Sequence, residues 1–261
     1  MKRLPLAFAL ASLLPTIALA DARIEYRSTE GGGASMQSLL VGHGKLRTDA
    51  DGEVSVVLDP GNDSMLMLNH ADRTFTRMNR ADMERMSAGL GAAMAQMEQA
   101  LANMPPEVRA QMEGSLGGML GGGAAAVSVN PTGRNDTVAG HPCVIYRTQM
   151  KGETINETCM GAVDAFDGLP SQDRRTLESA MAMTQRIAES LAKGPLAGMV
   201  DLSTFQPGML PLRVTDFDGG KRSTSEFAGI DDAPLPADLF TVPAGYTEQK
   251  LEMPDLGGLG R

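Results

Sequence analysis

The sequence predicts an α+β protein in which short antiparallel strands are interrupted by two helical segments. Between residues 23 and 76, alternating apolar and polar positions are separated by glycine-rich or Asp/Asn-containing turns. These loops are too short for the helical crossovers that parallel strands require, so the strands should form an antiparallel meander. From residue 79, methionine and leucine recur at three- and four-residue steps, which is typical of an amphipathic helix. The resulting order of strands, helix, strands, helix and strands differs from the alternation of α/β enzymes.

The first twenty residues have the composition of a secretory signal peptide. Basic residues at positions 2 and 3 precede an apolar stretch over residues 4–17, and residues 18–20 (ALA) follow the small-x-small rule. The apolar stretch is shorter than the roughly 20 residues that span a bilayer. We expect cleavage after Ala20 and a mature periplasmic chain that begins at Asp21. Because Asp21 stands where a lipoprotein has cysteine, we expect no stable membrane anchor.

The net negative charge limits the kinds of molecule that the chain is expected to bind. The chain has 32 acidic and 23 basic residues, a formal net charge of −9. Nucleic acids and anionic lipid surfaces both attract basic patches, so we expect the chain to bind neither. Hydrophobic residues make up 42% of the chain, enough to bury a core. We expect a single domain over residues 21–249 and a loose, Pro- and Gly-rich tail over residues 250–261.

Two cysteines in an exported chain predict one disulfide. Cys143 and Cys159 lie on two alternating segments separated by residues 150–152 (MKG), which suit a three-residue hairpin loop with glycine in the left-handed position. Pairing Gln149 with Glu153 then places the two cysteines directly opposite each other, at a separation that a disulfide can bridge. Because no C-x-x-C motif is present, we expect a structural staple rather than a redox centre.

A methionine-rich helical insert is predicted over residues 79–123. Asn79 is a suitable N-cap for it. One face of the helix carries a stripe of methionine and leucine: Met83, Met86, Leu90, Met94, Met97, Leu101 and Met104. A second helix should begin at Ser171 and end where residues 193–195 (KGP) terminate it.

Four interpretations of the methionine stripe remain open. Methionine fills irregular gaps, so the stripe can belong to the core and face the sheet. It can also form a pliable lid over an apolar cavity, because methionine-rich surfaces adapt to varied ligands. A third interpretation is contact with a membrane or a partner helix. Finally, the pairs Met83/Met86 and Met94/Met97 suit Cu(I), although no histidine or cysteine supports them.

The sequence displays no pattern of catalytic or metal-ligating residues. His43, His70 and His141 lack ligand spacing and are expected on the surface or in turns. No G-x-S-x-G nucleophile elbow is present. The acidic residues around Gly52 imitate part of a calcium loop, but the glycine falls too early and a hairpin turn explains them better. We therefore expect no metal, no cofactor and no catalytic residue.

Several short segments resemble those of the LolA-like superfamily of bacterial envelope proteins. They are residues 55–60 (SVVLDP), 65–68 (MLML), 140–146 (GHPCVIY), 210–212 (LPL) and 239–246 (LFTVPAGY). Within the superfamily, the chain resembles an uncharacterised secreted family, domain of unknown function 4412. The resemblance implies an incomplete, strongly curved antiparallel barrel of roughly eleven strands, partly plugged by helices. It also implies a concave face that takes a lipid chain or another apolar ligand. The chain departs from such relatives in having no tryptophan.

Taken together, these observations predict a non-enzymatic periplasmic binding protein or chaperone for a lipid, an acyl chain or a hydrophobic peptide. The side chains expected to line its site are Met65, Met67, Met83, Met86, Met94 and Met97. The alternative is an envelope interaction or assembly protein that docks onto a partner protein through the helical insert over residues 79–123.

Overall fold

A computed structural model describes residues 21–50, 52–102, 127–166, 168–192, 208–218 and 220–250. The predicted signal peptide, residues 103–123 of the predicted insert and the tail from residue 251 lie outside this described part. The strands are β1 (Ala22–Glu30), β2 (Gly33–Gly42), β3 (Lys45–Ala50), β4 (Val54–Asp59), β5 (Ser64–Asn69), β6 (Thr74–Asn79), β7 (Val127–Val138), β8 (His141–Met150), β9 (Glu153–Ala162), β10 (Met209–Asp218), β11 (Lys221–Asp231) and β12 (Thr247–Glu248). Within the described ranges, the α-helices are α1 (Arg80–Ala102) and α2 (Ser171–Ala192), and short 3-10 helices cover Val163–Ala165 and Ala237–Phe240.

All twelve strands belong to one open sheet. Their order is β12-β6-β5-β4-β3-β2-β1-β11-β10-β9-β8-β7, so β12 and β7 are the two ends. Every neighbouring pair is antiparallel except β12 and β6. The predicted class, an incomplete antiparallel barrel with helices, is confirmed. The sheet has twelve strands rather than roughly eleven because the two residues of β12 add a short parallel strand.

Aromatic contacts show how strongly the sheet curves. His141 at the start of β8 and Phe227 in β11 lie three strands apart, about 14 Å in a flat sheet. Their ring centroids are nevertheless 5.5 Å apart, and Phe166 contacts both rings, at 4.4 Å and 5.3 Å. The strands therefore bend toward one another on the face that carries these rings, which we call the concave face.

Helix α2 occupies the concave face. Leu177, Ala180 and Met183 are buried in one apolar cluster with Ile24 of β1 and Val41 of β2. The helix begins at Ser171, as predicted from the sequence, and its apolar side chains recur at helical spacing. The curved sheet thus wraps its main core around α2.

A second apolar layer covers the opposite, convex face. Leu40 and Val57 pack there against Leu235 and Phe240, which lie in the segment after β11. Residues 232–246 of this segment are called the C-terminal arm below. Strand β5 is apolar on both faces for this reason, because its side chains alternate between the main core and the layer under the arm.

The predicted N-cap of the first helix is confirmed. The Asn79 side chain accepts a hydrogen bond from the Asp82 N–H at 3.0 Å, and the Asp82 carboxylate accepts one from the Asn79 N–H at 3.0 Å. This reciprocal capping satisfies two backbone donors that the first turn of a helix would leave free. It fixes the start of α1 directly after β6.

The disulfide between Cys143 and Cys159 is confirmed, but the predicted hairpin register is wrong. Lys151 and Gly152 both have positive φ, 55° and 83°, and form a two-residue turn. Such a turn matches the twist of the flanking strands better than the expected three-residue loop. A bulge after Thr148 shifts the register again, so Cys159 pairs with residue 145. The cysteines are diagonal neighbours with a Cα–Cα distance of 5.4 Å.

Candidate functional site

A hollow lies between α2 and the concave face of the sheet. Its volume is about 310 Å³ and it opens to solvent. The apolar residues lining it are Tyr26, Leu39, Leu46, Leu177, Met181, Leu210, Pro211 and Val214, and the polar ones are Gln37, Ser38, Thr48, Thr184 and Ser225. The volume falls at the lower end of the 300–1,000 Å³ range that is typical of ligand pockets.

Strand and helix periodicity place these side chains around the hollow. On α2, Leu177, Met181 and Thr184 are spaced by four and three residues and therefore share one face. Opposite them, Tyr26 of β1 packs edge-to-face on Phe227, with centroids 6.2 Å apart.

The chemistry of the lining is uncharged. Among the described residues that line it, there are hydroxyl groups and one amide but no Asp, Glu, Lys, Arg or His. Burial raises the pKa of the Tyr26 phenol above its usual range, so this hydroxyl stays neutral. The Ser225 hydroxyl lies 3.1 Å from the Ser28 hydroxyl, which adds a polar spot at one side. The hollow can remove an apolar group from water and can offer hydrogen bonds, but it has no charge with which to pair an ion.

Of the six sequence-predicted methionines, the four whose side chains the structure describes do not line this hollow. Met65 and Met83 are half-buried and pack against the main core. Met67 is 38% exposed. Met94 and Met97 belong to α1, and their side chains lie outside the described part of the molecule.

Met86 lines a different cleft, of about 530 Å³, next to β6 and residues 248–250. Most of the residues around it are polar or charged, including Arg77, Asp82 and Arg85. The methionine that lines the apolar hollow is Met181 of α2. The sequence signal for Met181 is its place on the apolar stripe of the second helix, although methionine is more frequent in the first helix. The six predicted lining residues stay a prediction.

A polar network on the convex side joins sequence-distant residues. The Ser55 hydroxyl donates to Asp49 at 2.5 Å and lies 2.5 Å from His70 Nε2. The Arg47 guanidinium donates to the same hydroxyl at 2.9 Å. His70 Nδ1 lies 2.6 Å from the Tyr246 hydroxyl. One assignment satisfies all four contacts: His70 carries its proton on Nε2 and donates to Ser55, while Tyr246 donates to Nδ1.

This network holds the C-terminal arm rather than activating a nucleophile. In an acyl-transfer triad, the carboxylate orients the imidazole and the imidazole accepts the serine proton. Here Asp49 accepts from Ser55, and the Ser55 side chain has no exposed surface. Arg47 also donates to the Leu239 carbonyl at 2.6 Å, so the arm is bound at two points. Sequence analysis found no signal for this network because its members are up to 176 residues apart.

The other two histidines also have structural contacts. His141 stacks on Phe166, and His43 packs against Phe240 with centroids 5.7 Å apart. Within the described ranges, no group of three His, Cys, Asp or Glu side chains could hold a metal ion. Neither of the two described helices is long and apolar enough to cross a membrane.

No family model and no curated protein matches this sequence. Among solved structures, PNGF-II is similar over 88% of this chain at 12% identity and a TM-score of 0.41. The chain spans only 31% of the length of PNGF-II. MucB, solved in complex with MucA(peri), is similar over 86% of this chain and 55% of its own, at 11% identity and a TM-score of 0.31.

Lipoprotein LppX of Mycobacterium tuberculosis is similar over 84% of this chain and 90% of its own length. Its sequence identity is 10% and its TM-score is 0.27. Similarities at this level carry no argument about family or function. Membership of the LolA-like superfamily therefore stays a prediction from the sequence segments.

Proposed function

We propose that this protein is an exported, non-enzymatic binding protein that takes a lipid, an acyl chain or another apolar group into the hollow beneath α2. The observation that carries the proposal is the uncharged, mainly apolar lining of that hollow. An apolar ligand gains about 2.5 kcal/mol for every 100 Å² of its surface removed from water. The hydroxyls at the side of the hollow would orient a single polar end group.

Two further features support this proposal. The disulfide between Cys143 and Cys159 fits an oxidising compartment, as residues 1–20 predict. The six methionines predicted to line a site would form a second contact surface, on β5 and α1, for the part of a ligand that extends beyond the hollow. Methionine suits such a surface because its unbranched side chain adapts to ligands of different shape.

The direct test fills the hollow and measures uptake of a fluorescent fatty acid. Replacing Ser225 with tryptophan places a bulky ring in the lining, so we expect uptake to fall at least about tenfold, the equivalent of about 1.4 kcal/mol. The matched control is Ser223→Trp, two residues earlier on β11 and outside the lining. Equal melting temperatures of the two variants would show that both fold.

The outcomes are distinct. Loss of uptake in Ser225→Trp but not in Ser223→Trp supports a site beneath α2. Uptake at the wild-type level in both variants would show that the ligand binds outside the hollow. Native mass spectrometry would then measure how many ligand molecules remain bound. A wild-type protein that takes up no fatty acid and emerges from its own cell envelope without a bound molecule would end the proposal.

A further inference from the structure

Two buried carboxylates influence each other electrostatically: Asp21 lies directly before β1, and Asp173 lies in the first turn of α2. Asp21 and Asp173 are each 2% exposed. One oxygen of Asp21 accepts a hydrogen bond from the Leu235 N–H at 2.8 Å. Among the residues that the structure describes, the other oxygen of Asp21, Oδ1, and Oδ2 of Asp173 have no hydrogen-bond partner. A buried carboxylate oxygen without a partner is costly, so this pair calls for a positive group.

His43, the basic side chain recorded near the two carboxylates, supplies less positive charge than their neutralisation requires. His43 Nε2 lies 3.7 Å from Asp21 Oδ2 and 3.0 Å from the Leu235 carbonyl, which can only accept a hydrogen bond. Nε2 therefore carries a proton, and a neutral ring satisfies this contact. Burial and the neighbouring charge of Asp21 raise the pKa of Asp173 to about 6, and His43 only partly opposes that shift. One imidazole thus faces two carboxylates.

Close packing leaves no room for another side chain from β2. A Cβ atom at Gly42 would lie 2.6 Å from Asp21 Oδ1 and 2.9 Å from its carboxyl carbon. A side chain at residue 42 would therefore displace the Asp21 carboxylate, and the glycine present there supplies no cation. A positive group for the pair would come from another part of the chain or from solvent.

We propose that the pocket formed by Asp21, His43 and Asp173 binds the chain's own α-ammonium group. The sequence predicts that signal peptidase hydrolyses the bond between Ala20 and Asp21. Hydrolysis adds one water: Ala20 keeps the oxygen as a carboxylate, and the neutral amide nitrogen of Asp21 becomes a positively charged ammonium. That charge forms on the very residue that carries one of the two carboxylates, and it donates hydrogen bonds to the unpartnered oxygens.

This inference rests on the predicted cleavage site and is independent of any ligand in the hollow. Its consequence is that removal of the signal peptide stabilises the fold. In the precursor, residue 21 has an uncharged backbone nitrogen, so the negative charges of the two carboxylates are only partly neutralised. The folded state gains its last ion pair only after cleavage, which favours an unfolded precursor during export.

The proposal predicts in which direction the stability of the folded state changes with pH. An α-amino group has an unfolded pKa of about 7.7–8.0, and pairing with carboxylates raises its pKa in the folded state. While the carboxylates are ionised, its stabilisation is therefore complete below about pH 7.7 and is lost as the pH rises through the folded value. Without the ammonium, the raised pKa of Asp173 makes the fold lose stability as the pH rises from about 4 to about 6.

The experiment compares two starts of the same chain, residues 21–261 and residues 20–261, with each N-terminus verified by mass spectrometry. The additional alanine moves the ammonium by about 3.8 Å and leaves an amide at residue 21. We expect the chain that starts at Asp21 to melt roughly 2–4 °C higher at pH 7. We expect the difference to shrink at pH 4, where Asp173 is protonated.

Asp173→Asn tests whether this carboxylate is the partner. It keeps the shape of the side chain without the charge and leaves the Asp21 carboxylate in place, so the difference between the two starts should shrink. Asp164→Asn, at an exposed carboxylate just before α2, should preserve the full difference. Equal melting of the two wild-type starts, or an undiminished difference in Asp173→Asn, would overturn the proposal.

A second measurement covers the case in which Asp173→Asn does not fold. Acylation of the α-amine at pH 7 should be at least about tenfold slower in the chain that starts at Asp21 than in the chain that starts at Ala20, because a buried, paired ammonium is protonated and shielded. Equal acylation rates would show that the N-terminus of the mature chain is free in solvent and would likewise overturn the proposal.

Discussion

The two faces of the sheet are covered in different ways, although the same strands form both. On the convex face, the C-terminal arm is held by buried apolar side chains and by the directional network around Ser55. On the concave face, α2 packs its buried residues tightly but leaves an uncharged hollow beside them. The two faces thus differ in packing: the arm closes the convex face, and the helix leaves an open hollow on the concave face.

The largest effect should come from removing the main anchor of the arm. Phe240 is 2% exposed and packs in the convex layer. Replacing it with alanine should cost about 3–5 kcal/mol of the free energy of unfolding, measured by chemical denaturation, because the cavity cannot collapse. The neighbouring Leu239 is only half-buried, so Leu239→Ala is the matched control and should cost clearly less. A smaller loss for Phe240→Ala than for Leu239→Ala would contradict the conclusion that Phe240 anchors the arm on the convex face.

The polar network should contribute an intermediate amount. His70→Ala removes the donor to Ser55 and the acceptor of Tyr246, so we expect a loss of about 1–3 kcal/mol in the free energy of unfolding. Tyr246→Phe removes a single hydroxyl and should cost about 1 kcal/mol. Fatty acid uptake should not change in either variant, because both residues lie outside the lining of the hollow.

A double-mutant cycle sharpens this prediction. If His70 and Tyr246 stabilise the arm through their mutual hydrogen bond, the double variant should lose less than the two single variants together. Strict additivity would mean that the 2.6 Å contact between them contributes nothing of its own. Reduced uptake in either variant would indicate that the arm controls the hollow as well as the shape of the sheet.

The sequence was sufficient wherever the structure depends on neighbours along the chain. The strands of residues 23–76, the cap at Asn79, the start of α2 and the cysteine pair all follow from local periodicity or spacing. The hairpin register was wrong because a two-residue turn and a bulge each shift the pairing by one residue, and both fit the same residues. Such single-residue shifts depend on the twist of the whole sheet.

The parts that could not be predicted join distant segments. The arm reaches β3 and β4 across about 190 residues of sequence, for example in the contact between Arg47 and the Leu239 carbonyl. No periodicity marks these polar residues, because they are scattered over β3, β4, the turn after β5 and the arm. The sequence predicted an apolar cavity. The methionine that lines the hollow, Met181, is on the second helix, whose apolar stripe also contains alanine and threonine. Composition identified the abundant methionines rather than the one with space beside it.

The smallest effect on stability should come from replacing Met181, which lies two residues before Met183 on α2. Met181 lines the hollow, whereas Met183 is 1% exposed in the main core. Met183→Ala should therefore cost about 2–5 kcal/mol, and Met181→Ala about 1 kcal/mol or less, since its side chain already borders open space. Met181→Ala should also enlarge the hollow and favour bulkier fluorescent ligands over straight acyl chains. Equal destabilisation by the two substitutions would mean that the hollow is filled in solution, and the contrast between an adaptable concave face and a fixed convex face would then be lost.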